Sequence, residues 1–219
     1  MATRCAKQSQ KTSEAKIIKP VKIDEIILVV PKSDLFKKEI VQGLSAISNF
    51  AEYVQVIEKH KKFIARSEAE LDLTYKQIIP YLVFSFQDKY FLMQRQSTAS
   101  ETRLKSKYSF GIGGHIREED ITGSDMMGWA AREFAEEVEY SGSYTIIPLG
   151  LLNDERDAVG QVHTGFVFLL KGNSDAISVK SELKTGELLT LEECKNYYDG
   201  METWSQYIFD FLTNNRTKF

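Results

Sequence analysis

A chain of 219 residues, 42% of them hydrophobic, can bury one sizeable core and carry a smaller appended unit. A formal net charge of −3 excludes a global field that would draw the chain to nucleic acid or an anionic membrane, and its two cysteines, Cys5 in a polar stretch and Cys194 in an expected helix, exclude a disulfide framework. No apolar stretch approaches the roughly 20 residues of a membrane span, so the expectation is a cytoplasmic protein that binds neither nucleic acid nor membrane.

Residues 1–16, rich in Lys, Gln, Ser and Thr and without an apolar signal core, predict a disordered tail. Residues 24–30 are a run of Ile, Leu and Val that ends at Pro31, the pattern of a buried strand. Ser33 and Asp34 can cap a short helix through Gln42, closed by Gly43. A second strand is expected over residues 53–57. After it, Ser67-Glu68-Ala69-Glu70 has capping-box spacing for a helix that must stop before Pro80. Residues 17–77 then make a small α+β N-terminal unit packed on the rest.

Residues 81–86 and 90–95, aromatic and β-branched around Gln87-Asp88-Lys89, predict a hairpin, and residues 108–114 a further strand that runs into glycines. A helix begins near Thr122 or Ser124. Strands over 144–152 and 162–170 flank a polar loop at 153–161, and residues 191–212 are mostly helical with a break near Gly200. Strands, one acidic helix, more strands and a terminal helix make an α/β sandwich with a mixed sheet the expected architecture of residues 78–219.

The acidic helix carries the chemistry. At about 100° per residue, Met127, Ala130, Ala131, Phe134 and Val138 form an apolar stripe suited to packing on the sheet. Glu133, Glu136 and Glu137 fall together on a different face, where like charges at i, i+3 and i+4 cost roughly 0.2–0.5 kcal/mol per pair. A cation would relieve them, and oxygen ligands without His or Cys suit Mg²⁺ or Mn²⁺ better than zinc. An acidic face screened by water accounts for the same residues. Upstream, Gly111-Ile112-Gly113-Gly114-His115 is a glycine-rich bend that either lets backbone approach a ligand closely or simply turns the chain.

Together the two pieces resemble the Nudix box, G-x5-E-x7-R-E-U-x-E-E-x-G-U with U aliphatic. Arg132-Glu133-Phe134-Ala135-Glu136-Glu137 reproduces R-E-U-x-E-E with an aromatic at U, and Gly113-Gly114 matches the usual lead-in. Asp120 stands at the first acid position, four residues farther from Arg132 than the family spacing. Glu139 and Tyr140 replace the last glycine and aliphatic residue, so that helix termination falls to Gly142.

The resemblance implies a Nudix-like α/β/α sandwich over residues 78–219. It implies Mg²⁺ or Mn²⁺ held by the Gly114 carbonyl, Glu133, Glu136 and Glu137, and a structural pair between Arg132 and Asp120. The implied reaction is hydrolysis of a phosphoanhydride in a nucleoside diphosphate linked to another moiety, a small-molecule substrate. Glu133 is the candidate general base within the box, and Glu182 and Glu187 are loop alternatives.

Arg95 at a strand end, His115 after the glycines, and His163 sharing a strand face with Gly165 could contact substrate. Each also has a plain structural reading. Trp129, Tyr108 and Trp204 suit a core better than a base-stacking platform. A competing function is a non-catalytic Nudix-fold sensor of a nucleotide metabolite, with residues 17–77 as a partner or homodimer surface. An isoprenyl diphosphate isomerase would need a reactive pocket cysteine, for which Cys5 and Cys194 are poorly placed.

Overall fold

The computed structural model describes residues 24–37, 40, 42–46, 50–95, 106–121, 126–180 and 183–216. The expected tail, residues 1–16, lies outside them. Strand β1 (Ile26–Pro31) forms where the β-branched run predicts it. Next come α1 (Lys32–Leu35), β2 (Gly43–Ser45), α2 (Phe50–His60), β3 (Lys62–Ala65) and α3 (Arg66–Ala69). The hairpin is β4 (Tyr75–Phe86) and β5 (Lys89–Arg95), followed by the short β6 (Tyr108–Ser109) and β7 (Gly111–Gly113). A 3-10 turn at Glu118–Ile121 precedes α4 (Met126–Glu137), β8 (Val138–Tyr140) and β9 (Tyr144–Asn153). The chain finishes with α5 (Ala158–Val162), β10 (His163–Gly172), β11 (Ile177–Val179), β12 (Leu183–Thr190), α6 (Leu191–Cys194), a 3-10 stretch and α7 (Thr203–Asn214).

The structure departs from four expectations. Residues 53–57 are helical because Phe50, Tyr53 and Ile57 recur at helical spacing, and the first two meet Phe166 edge-to-face, Phe50 also meeting Phe168. The helix after Pro31 stops at Leu35, and Gly43 opens strand β2 with φ +83° rather than closing a helix. α3 is a single turn with Ala65 at its N-cap position and no capping side chain, and β4 runs straight through Pro80. That proline sits where the partner on one edge of β4 changes from β1, paired at residues 75–77, to β7, paired at 81–83, so little ladder is lost. Lastly, α4 ends at Glu137 without a glycine. Lys180 satisfies its end, the backbone N–H donating to the Glu137 carbonyl at 2.9 Å and Nζ to that of Ala135 at 2.5 Å, and residues 138–140 pair with β11.

The main sheet runs β12-β5-β4-β10-β9-β2, with β1 and β7 also on β4, β6 on β5 and β3 on β1. β10 lies parallel to β4 and the other pairings are antiparallel, so the sheet is mixed as expected. The N-terminal strands are therefore part of the same sheet.

Both faces are covered. On one, Ile78, Leu82, Phe84, Phe166 and Phe168 pack with Leu35, Ile57 and the buried Trp129, Ala130 and Phe134 of α4. On the other, Tyr81, Val83, Val167 and Leu169 pack with Ile208, Phe209 and Leu212 of α7 and Cys194 of α6. Each large apolar side chain so buried contributes about 1.5–3 kcal/mol, which is why α4 is held rigidly against the sheet. Among the described residues, no helix is long and apolar enough to cross a membrane.

Candidate functional site

β7 runs into Gly113 and Gly114 beside the middle of α4. Gly114 meets Glu133 directly: a Cβ built on Gly114 would fall within the Glu133 carboxylate. Phe134, stacked on Phe84 at 5.8 Å, and Ala130 turn the apolar stripe inward. Glu133 and Glu137 are consequently half-buried at the edge of the helix and Glu136 is exposed. Burial pushes the Glu133 carboxyl up to about 7, and the neighbouring charges of Glu136 and Glu137 add to the shift. The positive charges of Arg132 and Arg117 act on Glu133 but are outweighed by burial and the neighbouring acids, and a donor set of carboxylate and carbonyl oxygens fits a hard divalent cation.

The loop before α4 is tied to the helix through Asp120. Arg132 Nη2 lies 3.0 Å from Asp120 Oδ2, close enough for an ion pair although its N–H is not aimed as a hydrogen bond. The Arg117 backbone N–H donates to the same oxygen at 2.9 Å. Burial alone would raise Asp120, but the Arg117 amide and guanidinium, with Arg132, outweigh it and hold the carboxyl below its usual range. Arg132 also reaches Glu136, Nη1 to Oε1, at 2.6 Å. Arg117 was not anticipated; its proximity to Asp120, three residues on, was the available signal.

Consecutive residues Gly114 and His115 diverge. Gly114 faces α4, whereas His115 joins Gln77 and His163, which have the strand parity of Tyr81 and Val167 and so lie on the α7 face. His115 Nε2 is 2.7 Å from Gln77 Oε1 and 3.3 Å from His163 Nε2, and Glu70 Oε1 is 3.9 Å from His163 Nε2. Burial, then Arg66 and His163, depress His115 to about 3, so its ring is neutral. Gly165 leaves no space for a ligand beside His163: a Cβ there would be 3.0 Å from Trp204. Glu70 and Gln77 escaped notice, although Lys76 and Gln77 are conspicuous polar residues opening an apolar strand.

The Arg95 side chain and Glu182 lie outside the described residues. Glu187 is exposed on β12 and has the parity of Leu189, which packs into the α7-side core, so it points away from α4. Cys194 is fully buried and burial pushes its thiol up to about 12, unsuited to a reactive role.

No family model matches the chain. Protein YmaB of Bacillus subtilis (strain 168) is 37% identical over 205 residues, 87% of this chain and 98% of that protein. Tm1382, a solved structure described as a candidate Nudix hydrolase, has a TM-score of 0.70 and 32% identity across 87% of this chain and 99% of its own. The Nudix domain of Shewanella oneidensis NrtR, solved with ADP ribose, shares the fold at a TM-score of 0.51 and 16% identity, over 64% of this chain and 88% of that one. Likeness in both sequence and fold runs across nearly all of Tm1382 and carries the α/β/α sandwich with it: the chain belongs to the Nudix superfamily.

Proposed function

We propose that the chain is a divalent-metal-dependent hydrolase that cleaves a phosphoanhydride bond in a nucleoside diphosphate linked to another moiety. The observation that carries this reading is the Glu133 carboxylate lodged against Gly114 and crowded by Glu136 and Glu137. Gly114, through its carbonyl, and Glu133, Glu136 and Glu137, through carboxylate oxygens, are the residues to hold Mg²⁺ or Mn²⁺. The cation there would supply charge neutralisation for the diphosphate and a water of lowered pKa.

Glu133, with a pKa near neutrality, is suited to take the proton from the attacking water at a carboxylate oxygen. Arg132 positions: paired with Asp120, it fixes the loop against the helix without entering proton transfer. Buried Phe134 and Ala130 keep the acid face turned outward. ADP ribose, the ligand of the NrtR domain, names a nucleotide class worth testing first.

The test is a panel of nucleoside triphosphates, nucleotide sugars, dinucleotides and ADP ribose with Mg²⁺ or Mn²⁺. At least one member should yield phosphate-terminated products, and Glu137→Gln should abolish the reaction while the chain stays folded. Nucleotide binding without cleavage across the panel would favour the sensor instead.

A further inference from the structure

On the α7 face, Glu70, His115 and His163 present one ligand atom each, all within 4.8 Å of one another, and their burial is half, half and full respectively. We propose that these three residues form a second cation site, of zinc type, separate from the acids of α4 and on the opposite face of the sheet.

The ligand geometry carries the inference. Two nitrogens bound tetrahedrally to zinc at about 2.0–2.1 Å sit about 3.3–3.4 Å apart, and His115 Nε2 and His163 Nε2 are 3.3 Å apart. His163 is oriented for ligation. Its Nδ1–H donates to the Val159 carbonyl at 2.8 Å, which leaves the Nε2 lone pair facing the site. When a cation lies between the rings, the His115 ring hydrogen resides on Nδ1. Glu70 Oε1, 3.9 Å from His163 Nε2, closes the triad with a small adjustment.

Gln77 gives an independent sign. It is fully buried, its Oε1 is 2.7 Å from His115 Nε2, and its Nε2 has no hydrogen-bond partner among the described residues. Ligation moves the His115 hydrogen to Nδ1 and leaves the Gln77 oxygen without that donor, so Oε1 becomes available as a further oxygen ligand of the same cation. Arg66 Nε approaches Glu70 at 3.8 Å, but Arg66 Nη1 is bridged to Glu25 at 2.7 Å, so the arginine charge is shared between two carboxylates. The 35% exposed Glu70 side chain leaves an entry path. Two imidazoles and one carboxylate select zinc-like cations over Mg²⁺, so the two sites would differ in metal.

The experiment adds Zn²⁺ to the full chain and follows its three histidines by long-range ¹H–¹⁵N spectra. The Nε2 signals of His115 and His163 should move to ligated values while His60 stays, with one equivalent of zinc retained after desalting. Glu70→Gln and His163→Gln should weaken retention on the order of 100-fold or more, since even outer-sphere partners cost about 10–100-fold. Glu133→Gln combined with Glu137→Gln should leave it intact, which separates this site from the proposed hydrolytic one. Unmoved His115 and His163 signals in folded wild-type chain, or zinc retention lost only with the α4 acids, would overturn the proposal; the wild-type spectra decide even if a variant fails to fold.

Discussion

Gly114 and Glu133 meet with no room for a side chain between them, so the glycine backbone and the helix carboxylate form one continuous oxygen surface. The obstructing atoms are the far end of a flexible side chain. Gly114→Ala should therefore cost less than about 1 kcal/mol of stability while it pushes the carboxylate aside. Hydrolysis should fall at least 10-fold and half-saturation by Mn²⁺ should rise, on the positioning argument that small displacements at a reacting centre cost on the order of 100-fold. Steady-state kinetics against metal concentration check this, and unchanged metal dependence would contradict it.

Glu133 predicts a pH dependence of stability. Its folded pKa of about 7 lies above the ordinary 4.5. Between those values the folded chain keeps a proton that the unfolded chain releases, so stability is fully present below the lower value and is lost as pH rises through the upper. The loss is at most about 3 kcal/mol. Urea midpoints of metal-free chain should drop between pH 5 and pH 8, less so in Glu133→Gln, and Mg²⁺ should flatten the wild-type decline. Parallel declines in both chains would remove the basis for assigning the shift to this residue.

Arg132 and Asp120 should couple across the loop. With Arg132 33% exposed and Asp120 6% exposed, a double-mutant cycle with alanine at each position should give about 0.5–1 kcal/mol, shrinking in high salt. Zero coupling at low salt would mean that Arg117 alone holds the loop.

The helix α4 and its acids were legible because two signals coincided: a periodic apolar stripe and acids at i, i+3 and i+4 on another face. β1, the hairpin and the β9–β10 pair were legible from β-branched runs. Residues 53–57 misled because Tyr, Val and Ile favour strands, and only burial against Phe166 and Phe168 decides for helix. Pro80 misled because the change of strand partner beside it cannot be read locally. The convergence of Glu70, Gln77, His115 and His163 depends on β4–β10 register and on the β7 exit, long-range features that spacing does not encode.

A buried network behind β4 should set global stability. Glu202 Oε1 accepts from Tyr81, Ser109 at 2.6 Å and Ser205 at 3.2 Å, and burial, then the Glu202 charge, raises the Tyr81 phenol well above its ordinary range. Glu202→Ala strands these donors and should destabilise by about 3 kcal/mol; Glu202→Gln should cost less. Equilibrium urea unfolding measures both, and equal losses would indicate that the carboxylate charge, rather than the space the side chain fills, holds the network.

Bond cleavage at a metal-loaded acid helix is read directly by ³¹P spectroscopy of the reaction in ¹⁸O-water, with Mg²⁺ or Mn²⁺ and the substrate panel. Two phosphate-terminated fragments should form, ¹⁸O in one of them, with no product from Glu133→Gln or Glu137→Gln chains that remain folded. Intact substrate throughout, or label incorporation that both variants retain, would mean that these acids do not carry hydrolysis.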